Sequence, residues 1–255
     1  MRLDLPEGVT GKIAGINHMA WLLEIRDKDG NDLYPKLRER AEVMNTTEIH
    51  SNMVRFEYIR RFGYYCTEST WHNAEYNPFF IKSHHPELIE KYNIPLERYI
   101  RTSLEVLDRW QNQKEAILSG KGIEHPERSI EYPSRIMEAM VTNVPYSFGG
   151  NVINHGLIPN LVKDACVEVP CLADANGIQP TYVGELPTQL AAMNMTNVNV
   201  QLLTIEAAVT KKREHVYQAA MLDPHTAAEL PIDDIVAMCD EMIEAHNAAG
   251  NRVLY

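Results

Sequence analysis

The chain has 255 residues, 45% of them hydrophobic, and a formal net charge of −11. That length buries a real core as one or two domains. The acidity argues against a nucleic-acid partner, which needs a basic footprint. No apolar run approaches the roughly 20 residues that span a bilayer, and no positively charged, apolar signal peptide opens the chain. The expectation is a cytoplasmic protein with no membrane partner. Four cysteines, Cys66, Cys166, Cys171 and Cys239, form no C-x-x-C pair and read as reduced structural thiols.

Taken in chain order, residues 11–27 alternate apolar with small or polar side chains and predict strands. The polar pair Asn17-His18 interrupts this apolar run, and a buried imidazole needs a hydrogen-bond partner or a metal. Asn31 and Asp32 are placed to cap a helix from Leu33 to Val43. Met53, Phe56 and Ile59 share one face of a second helix from Ile49 to Phe62, with Gly63 as its stop. Trp71 to His85, aromatic, histidine-rich and holding Pro78, reads as an irregular loop. After Pro95, the stripe Leu96, Ile100, Leu104, Leu107, Trp110, Ile117 and Leu118 predicts a long helix packed on the core.

Gly120 to Pro133 reads as a connecting loop, and Ser134 to Met140 as a short helix. Val144 to Val183, rich in Val, Gly, Pro and Asn, predicts short strands and turns. From Leu186 the pattern is helical, with breaks near Lys211-Lys212, Pro224 and Pro231. Asp233 and Asp234 suit the first turn of the last helix. Together these elements predict one α+β unit spanning residues 1–255, with mixed short strands packed against helices.

Six segments carry a resemblance. They are Gly15-Ile16-Asn17-His18-Met19-Ala20-Trp21, Gly63 to Ser69, Ala74 to Pro78, Gly149-Gly150-Asn151-Val152, Val167 to Cys171 with Asn176 to Pro180, and Met221 to Ala228 around Asp223-Pro224-His225-Thr226. In this order they resemble the NAD- and manganese-dependent α-galactosidases of glycoside hydrolase family four. The resemblance runs from about Gly11 to His246. It implies the family's C-terminal catalytic and oligomerisation domain, of the lactate-dehydrogenase-like type. Members begin with a Rossmann domain whose Gly-rich loop binds the nucleotide. No G-x-G-x-x-G occurs here, and Phe148-Gly149-Gly150-Asn151 lacks both its spacing and a following helix. The family's metal cysteine lies upstream of the Gly-Ile-Asn-His run. The expectation is therefore the second half of an enzyme, opening at Met1, with the NAD site mostly in the other half.

The family is an exception to paired-carboxylate glycoside hydrolysis. Its implied chemistry is a redox elimination. NAD takes a hydride from the sugar's C3, a base removes the C2 proton beside the new ketone, and the C1 oxygen leaves. Water then adds and the hydride returns. A divalent metal supports the negative charge. The resemblance makes His18 a metal ligand, for Mn2+, and puts Tyr132 in the region that supplies the C2 base. A tyrosine must be made more acidic to serve there, and the plainer reading is a residue at a helix start. Asn17, Asn151 and Asn154 are matched to substrate contacts, with backbone bonding and Asx turns as the plainer readings. Glu68, His72 and Glu75 fall in the aromatic loop. There Trp71 departs from the family's Thr-Glu-Ser-Ser-Glu-His, and Trp71 and Phe79 read as sugar platforms or core residues.

Three functional readings follow. The chain is an incomplete α-galactosidase completed by a separate Rossmann-bearing chain, an α-galacturonidase or α-glucuronidase of the same family, or a non-catalytic assembly module. The substrate is an α-galactoside or related sugar, and a homo-oligomer is expected.

Overall fold

The computed structural model of the protein describes residues 7–120 and 131–250. Most of the predicted 120–133 connection lies outside the described residues. The sheet begins as a hairpin of β1 (Thr10–Ile16) and β2 (Met19–Arg26). After α1 (Tyr34–Thr47) and α2 (Met53–Phe62), the two-residue β3 (Tyr65–Cys66) pairs with β2. Three further helices follow, α3 (Thr70–Glu75), α4 (Glu87–Lys91) and α5 (Arg98–Leu118), and then α6 (Pro133–Thr142). Strands β4 (Tyr146–Ile153), β5 (Cys166–Asp174) and β6 (Gly177–Pro180) complete an antiparallel sheet of order β3-β2-β1-β5-β4, with β6 paired to β5. The chain ends in α7 (Thr188–Thr210), α8 (Arg213–Leu222), α9 (Pro224–Glu229) and α10 (Ile232–Ala248). This is the α+β class read from the sequence.

One face of the sheet makes the core. Ala14, Ile16, Trp21, Val167, Val169 and Cys171 lie in one buried cluster with Val54 and Tyr58 of α2 and with Leu190 and Val198 of α7. Trp21 is fully buried, and its indole N–H donates to Asn194 Oδ1 at 3.0 Å. Asn194, also 0% exposed, donates in turn to the Met19 carbonyl at 2.7 Å. A buried polar group is tolerated when it is bonded. Here the bonded pair also fixes α7 across the sheet. On α2, Glu57 accepts from Arg60 at 2.7 Å and from Arg61 at 2.8 Å. Burial pushes its carboxyl upward, but the two guanidiniums outweigh burial and hold it below the usual range.

Several local readings hold. Gly63 closes α2 at φ 85, the break near Pro224 falls between α8 and α9, where the structure adds Asp223 as a cap accepting from the Thr226 N–H at 2.7 Å, and Asp233 and Asp234 open α10. Of the cysteines, all four are free thiols, and Cys166 is the exposed one.

Other readings need correction. Asp32 accepts from the Tyr34 N–H at 2.9 Å but sits ahead of the cap position, and α2 starts at Met53 rather than Ile49, which is exposed. The stretch read as an irregular loop contains α3, because the turn breaker Pro78 lies beyond its end. The largest correction is α5. Its apolar stripe is real, yet no residue of the helix is buried, and Leu107 and Trp110 are 63% and 59% exposed. Amphipathic spacing marks the face that favours cover, not whether cover is present.

Candidate metal centre at the tip of the first hairpin

The β1–β2 hairpin turns in two residues: Ile16 pairs with Met19, leaving Asn17 and His18 as the turn. His18 takes φ 63, which a non-glycine residue adopts uncommonly. Gly15 makes so tight a return possible. A Cβ there would lie 2.6 Å from the Met19 carbonyl oxygen and 2.7 Å from the Ala20 Cα.

The segment after β3 runs alongside this turn. The Thr67 N–H donates to the Ala20 carbonyl at 2.9 Å. Arg55 of α2 then pins the segment from behind, donating to the Thr67 carbonyl at 3.0 Å and to the Glu68 carbonyl. The fully buried Asn73 donates to the carbonyls of Glu68 at 3.1 Å and Ser69 at 3.0 Å. Its own carbonyl accepts from the buried Tyr58 hydroxyl at 2.9 Å. Glu68 and the α3 residue His72 are thereby held on a framework rooted in the core.

These supports bring three chemical groups together. Glu68 Oε2 lies 3.1 Å from His18 Nδ1, and the rings of His18 and His72 are 4.6 Å apart by centroids. One donor atom from each of His18, Glu68 and His72 lies within 4.8 Å of the other two. His72 Nδ1 faces Glu75 Oε2 at 3.3 Å, and the Tyr76 ring stands 6.0 Å from His18. The close approach of Glu68 to His18 is not a hydrogen bond. His18 Nδ1 is buried and has no hydrogen-bond partner among the described residues. The carboxylate oxygen is near enough but lies off the direction in which a ring N–H donates.

Charge shapes the surroundings. Burial pushes the Glu68 carboxyl upward, but bonds from Ser69 and the nearby imidazoles prevail and hold it below its ordinary range. Glu168 of β5 moves the other way. Burial raises it and Glu68 raises it further, against the pull of His18. Register places Glu168 opposite Gly15 on one side and Asn151 on the other, so one row crosses the sheet beside the hairpin. A divalent cation fits this donor set, because imidazole and carboxylate suit a borderline-to-hard metal such as Mn2+ and His18 has a buried nitrogen without a partner.

The structure gathers some of the sequence-predicted residues here and not others. His18 is at the centre, Asn17 is exposed in the same turn, and Asn151 is exposed on β4 in the Glu168 row. Asn154 is elsewhere in role. It is 0% exposed, and its side chain donates to the carbonyls of Ile158, Leu161 and Val162 and accepts from the Ile158 N–H. That leaves it as the pin of the 154–162 turn rather than a surface group. Tyr132 is the residue before α6, and its hydroxyl donates to the Gly149 carbonyl at 2.9 Å. Burial and then Glu168 and Glu131 raise its hydroxyl, opposite to the acidification a base needs. Trp71 is covered on one face by the Arg98 guanidinium, 4.2 Å from the ring centroid, and Phe79 packs beside Phe62. Sequence reasoning did not assign Glu168 to the site. Its signal was a carboxylate on the face of β5 opposite the buried Val167 and Val169.

Fold and cluster together define an α+β domain that presents an imidazole–carboxylate centre at the tip of its first hairpin. Residues 13–226 match the model for the family 4 glycosyl hydrolase C-terminal domain, and the chain belongs to glycosyl hydrolase family 4. It is 57% identical over 94% of its length to an α-galactosidase of Bacillus subtilis. The chain spans 55% of that relative's own length. Among solved structures, a glucosidase from Bacillus subtilis superposes with a TM-score of 0.79 at 21% identity, covering 92% of this chain and 56% of that one. A 6-phospho-α-glucosidase from gut microorganisms, in complex with NAD and Mn2+, gives 0.69 at 20% identity, covering 94% and 56%. These two likenesses show the fold.

Proposed function

We propose that this chain is the metal-holding half of an α-galactosidase that works by redox elimination with NAD and Mn2+. The observation that carries this is the 57% identity to an α-galactosidase over nearly the whole chain. The NAD- and Mn2+-bound relative supports the choice of cofactors. When bound, Mn2+ would supply positive charge to offset the negative charge that develops on the sugar, and NAD would supply the hydride acceptor. The chain's own residues do the rest of what is assigned to it. His18 offers an imidazole nitrogen to the metal. Asn17 and Asn151 offer exposed amides to sugar hydroxyls. Tyr132 is assigned to removal of the C2 proton, for which it needs positive charge nearby, because its present surroundings raise its hydroxyl.

The nucleotide half is supplied by a Rossmann-bearing partner chain or segment. Self-association is part of the same proposal, supported by the uncovered apolar face of α5. The test is to co-express the chain with the NAD-binding half of the Bacillus subtilis relative and assay nitrophenyl α-galactoside and α-galacturonide. Turnover of the galactoside should require both NAD and Mn2+, and deuterium at C2 should slow it. His18→Ala should lower it at least a hundredfold, as loss of several kcal/mol of charge stabilisation predicts. Full turnover in the presence of a chelator would refute the reading.

A further inference from the structure

The sequence offers one metal donor in this chain, His18. The structure offers more. We infer that Glu68 and His72 join His18 as direct donors to a single divalent cation, so that this chain holds the ion with three of its own side chains. The inference rests on the proposed function only for the identity of the ion.

The geometry between His18 and Glu68 carries it. A ring nitrogen and a carboxylate oxygen 3.1 Å apart should share a hydrogen, yet His18 Nδ1 is buried with no such partner. Two atoms at that distance that do not point at each other can both point at a third position. Adjacent donors about 2.2 Å from an octahedral ion lie about 3.1 Å apart, the spacing of one edge of its coordination shell. A cation at that position satisfies the orphaned nitrogen and the carboxylate together.

The alternative is that Glu68 only orients the ring, as carboxylates behind metal-bound histidines do. Such a carboxylate accepts the ring's N–H along its own direction, and Glu68 does not. Glu75 does occupy that orienting position, but toward His72, at 3.3 Å from Nδ1. That leaves the His72 Nε2 as the free donor. Glu68 and His72 also share a support. Asn73 fixes the Glu68 and Ser69 carbonyls while sitting next to His72 in α3. The spacing of the two donors is therefore set before any ion arrives.

The test needs no catalysis. The purified chain is titrated with Mn2+ alone while the free-ion electron paramagnetic resonance signal is followed. One ion per chain should leave the free pool. Glu68→Gln and His72→Gln should each weaken binding at least about tenfold. His85→Gln, on an exposed histidine paired with Glu87, should change nothing. Wild-type affinity in both site variants, or no stoichiometric binding by the wild type, would overturn the inference. If a variant loses its fold by circular dichroism, Co2+-loaded wild-type protein decides. Its proton spectrum should show two contact-shifted imidazole N–H signals, and one or none would remove His72. Tight Mn2+ binding with no galactosidase activity in the assembled enzyme would sink the proposed function and leave the site. Activity with Mn2+ affinity indifferent to Glu68 and His72 would do the reverse.

Discussion

Trp21 and Trp110 have similar sequence neighbourhoods and opposite fates. Each sits in an apolar pattern that predicts a core residue. Trp21 is 0% exposed, bonded through its indole to Asn194 and packed beside Tyr58 at 5.8 Å between centroids. Trp110 is 59% exposed on a helix none of whose residues is buried. The difference lies in what the neighbouring elements supply. The hairpin meets α2, α7 and β5 within this chain, whereas the apolar face of α5 meets solvent. Periodicity reports a local preference, and only tertiary structure decides whether it is satisfied.

That contrast can be broken by substitution. The largest effect should come from Trp21→Ala, which empties the centre of the core and removes a partner of Asn194. A loss of about 3–5 kcal/mol in urea unfolding is expected, and a loss below 1 would mean the hairpin core is looser than described. Asn194→Ala should cost about 2 kcal/mol, because it strands the Trp21 N–H and the Met19 carbonyl in the interior. Glu57→Gln should cost about 1 kcal/mol at neutral pH. The Glu57 carboxyl is held below its unfolded value, so its contribution is fully present above the ordinary carboxylate range. It is lost as pH falls through the lowered folded value. The wild-type and Glu57→Gln unfolding midpoints should therefore converge in acid, and a gap that widened there would reverse the assignment. Leu107→Lys on α5 should change unfolding by no more than about 0.5 kcal/mol while lowering self-association in light scattering. A large destabilisation of the dispersed monomer would show that α5 packs on its own chain after all.

How much of this was legible beforehand depends on the range of the signal. The strands of residues 11–27, α6, the β4–β6 region and the last four helices follow from local pattern, with Gly63, Pro224 and Asp233 marking ends by residue chemistry. The fate of α5 was not legible, since its pattern is the same with or without a neighbour. At the site, His18 stood out as a polar interruption of an apolar run. Glu68 and His72 were visible as loop residues, but their meeting with His18 depends on Arg55, Asn73 and the β2–β3 pairing, none of them local to the turn. Glu168 reaches the site by strand register alone. Asn154 and Tyr132 also owe their surroundings to residues further along the chain: Asn154, matched to substrate contacts with an Asx turn as the plainer reading, is bonded into a buried turn, and the Tyr132 hydroxyl bonds the Gly149 carbonyl.

The Arg98 guanidinium over Trp71 has an optical consequence. Trp71 adjoins His72 in sequence and lies with its ring 5.3 Å from the imidazole by centroids, beneath a cation from the first turn of α5. If the proposed ion is held at His72, this indole is the tryptophan beside it. In a Trp21→Phe, Trp110→Phe double variant, which keeps Trp71, Mn2+ should extinguish much of the emission. Zn2+, which has no unpaired electrons, should shift it only slightly. The light from one side chain would then follow occupancy of the hairpin tip in real time, with the opening turn of α5 setting its colour.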